Sequence, residues 1–131
     1  MILLDTHIWL WYLTGDKRLK QNISKIIDRS KRKNEAYISS ISIWEVCKLN
    51  EKGKIKFSLP LRTWIKAAIT KGILVHELSI DIYLESCCLP GTFHGDPADQ
   101  MIVATSRIMN SKLITYDDKI INYKHVELFT T

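Results

Sequence analysis

Apolar residues fall along the chain in short blocks of two kinds. Met1-Ile2-Leu3-Leu4 is a continuous apolar run that stops at Asp5, the pattern of a strand buried on both faces of a parallel sheet. Thr6 to Leu13 is a helix-length stretch carrying Trp9, Trp11 and Tyr12, and Gly15-Asp16 ends it as a turn. From Leu19 to about Lys33 the residues Leu19, Ile23, Ile26 and Ile27 recur at helical spacing. Lys20, Lys25, Arg29, Lys31, Arg32 and Lys33 lie on and beyond the other face, so the pattern predicts a basic amphipathic helix.

The alternation continues to the end of the chain. Ala36 to Ser39 reads as a strand, and Ser42-Ile43-Trp44-Glu45 matches a capping box opening a helix that Gly53 closes. Ser58, Pro60, Trp64, Ile65, Ala68 and Ile69 read as a capped helix stopped at Gly72, with Ile73 to Leu78 the next strand. Ser79 caps a short helix, Leu89 to Gly95 is a loop, and Asp96-Pro97 opens a helix running to about Asn110. Lys112 to Tyr116 predicts a strand ending at Asp117-Asp118, and His125 to Phe129 predicts the last. Strands alternate with helices without repeat or linker, which predicts an α/β sandwich around a mainly parallel sheet.

Composition narrows the class. The 131 residues are 46% hydrophobic and 25% charged, with 5 Gly and 3 Pro, which suits one globular domain spanning 1–131 and excludes low-complexity and disordered classes. The longest apolar run, Ile8 to Leu13, falls far short of the roughly 20 residues a membrane span needs. No targeting segment is visible either, so the expectation is a cytoplasmic protein with no membrane partner. Cys47, Cys87 and Cys88 have no metal-knuckle spacing and are expected as core or half-buried thiols. The net charge of +5 favours a polyanionic partner.

In parallel sheets functional groups collect at the carboxyl ends of the strands. That rule selects Asp5, Glu45, Asp96, Asp99 and Asp117 from the acidic residues and places them on one edge. Carboxylates gathered in one cleft repel each other unless a cation neutralises them, and an oxygen-only donor set selects Mg²⁺, or Mn²⁺, over zinc. Such an ion acidifies a water for attack on a phosphodiester, while surrounding Lys and Arg hold the backbone: the requirements of a nuclease. Singly, each residue also has a structural role. Glu45 completes a capping box with Ser42, and Asp96 with Asp99 stabilises a helix N-terminus. Asp117 or Asp118 caps a turn. Asp5, directly after a buried strand, needs a partner to offset its desolvation.

Other residues stay open at this point. His7 and His94 neighbour Asp5 and Asp96 and suit either a structural role or contact with a phosphate or metal-bound water. Trp9, Trp11, Trp44 and Trp64 suit either the core or base stacking. Lys25, Arg29 and Lys33, with the lysines between Lys48 and Lys56, are either solvated faces or a phosphate track.

Four segments together resemble the PIN-domain ribonucleases, and more narrowly the VapC-type toxins of bacterial toxin-antitoxin pairs. They are Leu3-Leu4-Asp5-Thr6-His7 with Trp11, Ser39 to Glu45, His94 to Asp99 with Ile102-Val103-Ala104, and Leu113 to Asp117. The resemblance implies a PIN-like α/β/α sandwich with about 4–5 strands. It also implies an acidic quartet of Asp5, Glu45, Asp99 and Asp117 around Mg²⁺ with Asp96 auxiliary, and endonucleolytic hydrolysis of RNA leaving a 5′-phosphate. It further implies transfer or ribosomal RNA as target, a homodimer, and a cognate antitoxin that carries the DNA binding. Gly95, Ala98 and Gln100 depart from the commonest pattern, which has Arg, an aromatic and Arg there. A non-catalytic basic RNA- or partner-binding module on the same fold is the alternative, and a receiver- or phosphatase-like domain lacks its second Asp here.

Overall fold

A computed structural model describes residues 1–130, so Thr131 of the expected domain lies outside the described residues. The element order is β1 (Ile2–Leu4), α1 (Thr6–Thr14), α2 (Gln21–Arg32), β2 (Ala36–Ser39), α3 (Ser40–Glu51) and α4 (Leu61–Ala68). It continues with β3 (Leu74–His76), α5 (Ile80–Cys87), α6 (Pro97–Met109), β4 (Lys112–Ile114) and α7 (Asp118–Ile121). The strands form a 4-stranded sheet in the order β3-β2-β1-β4, with every pairing parallel. This is the expected α/β/α arrangement. The chain steps from β1 outward through β2 to β3, then returns to place β4 on the other side of β1. The strand order therefore reverses at β1, and the crevice beyond the carboxyl ends of β1 and β4 is where such sheets bind ligands.

Period-2 alternation divides the core. Ile2 and Leu4 point to one layer with Ile8, Trp9, Ile27, Ile38 and Val46. Leu3 points to the other with Leu113, Ile102, Val103 and Ile120. Because β1 is covered on both faces, its run has no polar residue until the sheet ends at Asp5. The Asp5 backbone N–H extends the ladder by donating to the Ile114 carbonyl at 3.0 Å.

Three expectations need correction. Ser42 does not open a capping box: Ser39 caps α3, its hydroxyl accepting from the Ile41 N–H, and Ser42 is buried inside the helix. Helix formation starts as soon as β2 ends, leaving no room for a loop. The segment from His125 to Phe129 adds only an isolated parallel bridge from Leu128 to Leu113 and not a fifth strand. Cys87 and Cys88 are exposed, and only Cys47 is half-buried. No helix among the described residues is long and apolar enough to cross a membrane.

Leu113 is fully buried at the β1–β4 pairing. Leu113→Ala should therefore lower stability by about 2–5 kcal/mol in urea unfolding. Lys124→Ala, at an exposed position outside every helix and strand, should change it by less than about 0.5 kcal/mol. Equal effects would contradict this packing.

Candidate active site

The turn that ends β1 makes the innermost part of the site. Asp5 is 3% exposed. Its Oδ1 accepts from the Thr6 backbone N–H at 2.8 Å, capping α1, and its Oδ2 accepts from the Thr115 hydroxyl at 2.6 Å. Thr115 follows β4, and its oxygen in turn accepts from the Asp117 N–H at 3.0 Å. A single threonine thus ties the ends of β1 and β4 together. Two donors, the Thr6 N–H and the Thr115 hydroxyl, offset the desolvation of this nearly buried side chain.

Glu45 reaches the same place from the second turn of α3. The Thr6 hydroxyl donates to Glu45 Oε1 and lies 2.8 Å from the buried Ser42 Oγ. Helical spacing explains why: Ser42 and Glu45 are three residues apart, so they share the face that meets α1. Asp96 caps α6, its Oδ1 accepting from the Asp99 N–H at 3.1 Å. Asp117 caps α7 through the Lys119 N–H at 2.9 Å. The structural roles foreseen for these two residues are real, and each cap uses one oxygen of its carboxylate.

All five sequence-selected carboxylates, Asp5, Glu45, Asp96, Asp99 and Asp117, line one cavity of about 290 Å³ with Thr6, His7, Leu10 and Leu49. Asp118 is exposed and lies outside that lining, which separates it from Asp117. No Lys or Arg lines the cavity. The electrostatic consequence is greatest at Asp99, whose pKa is pushed up to about 7. Burial is the largest cause, followed by the charges of Asp5, Asp96, Asp117 and Glu45. Glu45 is also raised, by burial first and by Asp5 and Asp96, against a lowering by the Thr6 hydroxyl.

The histidines flank the cavity. His7 Nε2 accepts from the Tyr116 N–H at 3.2 Å, which leaves its proton on Nδ1, 3.7 Å from Asp5 Oδ2 and too far for a hydrogen bond. His94 Nε2 lies 3.2 Å from Asp99 Oδ2 but out of line for a hydrogen bond, so this buried nitrogen has no such partner. Gln100 fixes the loop before α6 by donating from its amide to the His94 carbonyl at 3.1 Å. Thr6 and Thr115 escaped the sequence reading as site residues, and Ser42 was read there only as a helix cap. The only signal for them was a hydroxyl next to each strand end or one helical turn from Glu45.

The profile of the PIN domain matches residues 2–126. The chain belongs to the PIN-domain family. It is 27% identical over 124 residues to Ribonuclease VapC22 of Mycobacterium tuberculosis, covering 95% of this chain and 92% of that protein. Among solved structures it resembles VapBC2 from Rickettsia felis bound to a promoter DNA fragment, with a TM-score of 0.71, 18% identity and coverage of 98% of both chains. It also resembles a toxin-antitoxin complex from Klebsiella pneumoniae, with a TM-score of 0.65, 19% identity and coverage of 99% of this chain and 97% of that one. At these identities the two structures speak to the PIN fold alone.

The donor set of this PIN domain fits a hard divalent cation, because it offers several carboxylate oxygens and no thiolate. Among the described residues no three His, Cys, Asp or Glu side chains stand close enough together to form a ligand cluster.

Because folding raises the Asp99 pKa from 3.8 to about 7, the folded state holds a proton that the unfolded chain releases between those values. Its contribution to metal-free stability therefore falls as pH rises across that window and is flat above it. Asp99→Asn should match wild type near pH 4 and exceed it at pH 8 by about 1–2 kcal/mol, a figure discounted for solvent screening. Thermal unfolding across this pH range in EDTA checks the sign. A variant that is less stable at pH 8 would contradict the repulsion.

Proposed function

We propose that this protein is a Mg²⁺-dependent endoribonuclease toxin of the VapC type, restrained by a cognate antitoxin. The observation that carries the reading is the convergence of five carboxylates on one cavity free of Lys and Arg, at the carboxyl edge of a parallel sheet. PIN-domain membership and the relative named a ribonuclease support it.

In this reading Asp5, Glu45, Asp99 and Asp117 hold the ion, Mg²⁺ or Mn²⁺, and Asp96 assists at the rim. Bound there, the ion supplies an acidified water and neutralises charge on the scissile phosphate. Asp5 is held by the Thr6 N–H and the Thr115 hydroxyl, which fix the orientation of its two oxygens. Thr6 does the same for Glu45. Asp99 and Glu45, whose pKa values are raised by burial first and by neighbouring carboxylates second, would have that second contribution offset by a bound cation. Hydrolysis adds water across the P–O3′ bond, leaving a 5′-phosphate and a 3′-hydroxyl.

The substrate in this reading is transfer or ribosomal RNA in the cytoplasm, attracted by the net charge of +5. A homodimer is supported by an apolar surface on α5 and α6, where Ile80 is 76%, Leu84 62%, Tyr83 45% and Ile108 45% exposed. DNA contact belongs to the antitoxin.

Incubation of the purified, antitoxin-free protein with total cellular RNA tests the reading when the 5′-phosphate ends are sequenced. Discrete cleavage is expected with Mg²⁺ and none with EDTA. Asp5→Asn and Asp99→Asn should each reduce it by at least about a hundredfold while remaining folded. Full Mg²⁺-dependent cleavage by both variants would overturn the assignment.

A further inference from the structure

The four tryptophans have separate fates. Trp9 is 1% exposed in the core, Trp64 stacks on Phe57 with ring centroids 4.0 Å apart, and Trp11 packs against His7 and Tyr116. Trp44 alone among them is open, at 52% exposure. It follows Ser42 and precedes Glu45 on α3, so the helix that aims Glu45 into the acidic cavity also places Trp44 just outside it.

A second cavity of about 410 Å³ begins there. Its lining includes Trp44, Lys48, Lys52 and Lys54, and it shares Glu45, Leu49 and Asp96 with the acidic cavity. The two cavities adjoin across those three residues: the first is lined by carboxylates and no lysine, and the second adds Lys48, Lys52 and Lys54 together with Glu51. Lys48 is engaged locally, its Nζ 5.7 Å from the Trp44 ring centroid and 3.3 Å from Glu51 Oε1. Lys52 and Lys54 are exposed, and among the described residues neither has a carboxylate partner within salt-bridge distance. Solvation at a helix end accounts for the lysines alone. Beside them in the same lining, Trp44 presents an open aromatic face, the feature on which an unpaired base stacks.

We propose that Trp44, Lys52 and Lys54 form a subsite for single-stranded RNA, with the Trp44 indole stacking on an unpaired base beside the bond to be cut. The inference rests on the nuclease reading and assigns the side from which the strand enters. An aromatic face accepts any exposed base, and a paired duplex hides the faces it needs. Lys52 and Lys54 contact the phosphates that follow, and Lys48 braces the indole from its edge of the helix. The groove therefore selects unpaired over paired RNA, and Trp44 acts by positioning and takes no part in the bond change.

The test is fluorescence anisotropy with a short fluorescein-labelled single-stranded RNA of mixed sequence. Ca²⁺ replaces Mg²⁺ so that the carboxylates are neutralised without rapid cleavage. Trp44→Ala should weaken binding by about tenfold or more, and Trp44→Phe should restore most of it. Lys52→Ala combined with Lys54→Ala should reduce the slope of log affinity against log salt by about 1.4. The same proteins are then assayed for Mg²⁺-dependent cleavage at limiting RNA and sized in solution. Unchanged binding and cleavage by Trp44→Ala, with wild type active, would overturn the subsite and leave the nuclease standing. A Trp44→Ala protein that loses a dimer but keeps its RNA affinity would overturn it too, by assigning the face to a second copy. A wild-type protein that neither binds nor cleaves RNA would overturn the nuclease reading and the subsite with it.

Discussion

Repulsion among carboxylates that the fold holds in one partly buried cavity is the constraint on which the rest of this structure depends. Five acidic side chains without a lysine or arginine among them make an arrangement that folding alone disfavours, and at Asp99 burial first and the neighbouring charges second push the pKa up to about 7. Hydroxyls offset part of that cost. Thr6 and Thr115 together donate to Asp5 and Glu45, and the Thr6 backbone adds another hydrogen bond to Asp5. Hydrogen bonds from neutral donors hold carboxylates in place without cancelling their charge, which leaves the cavity available to an external cation.

The sheet topology creates the site. Reversal of the strand order at β1 opens the crevice beyond the ends of β1 and β4, and Thr115 joins those ends across it. Helix caps supply the remaining carboxylates: Asp96 and Asp117 each satisfy a backbone N–H while lining the cavity. Structural and proposed chemical roles therefore coexist in the same residue. Removing a cap disturbs a helix start as well as the charge cluster, whereas Asp99 carries charge without capping anything and isolates the electrostatic effect.

Much of this was legible in the residues. The run from Ile2 to Leu4 ending at Asp5 revealed a doubly buried strand because no face of it meets water, and Asp96-Pro97 marked the start of α6 because both residue types suit those positions. The strand-end rule pointed to Asp5, Glu45 and Asp117, while Asp96 and Asp99 were reached as the opening of a helix after a loop. Ser42 was misread because a helix starting directly after a strand puts the capping signal at Ser39, three residues earlier. The last segment read as a strand from its composition, yet only Leu128 pairs. Local pattern does not register how little edge is left beside β4. Thr6 and Thr115 were invisible because a hydroxyl's role depends on what stands across the sheet, and Thr115 is 110 residues from the carboxylate it holds. Exposure separated Trp44 from the other tryptophans, which sequence left equivalent.

The central claim is that these carboxylates hold a divalent cation, and Mn²⁺ binding followed by electron paramagnetic resonance tests it most directly because it requires neither RNA nor antitoxin. The account predicts saturable loss of the free-ion signal with wild-type protein, competition by Mg²⁺, and binding weakened at least about tenfold in Asp99→Asn. A wild-type protein that leaves the free-ion signal unchanged, or an Asp99→Asn protein that binds equally well, would contradict it.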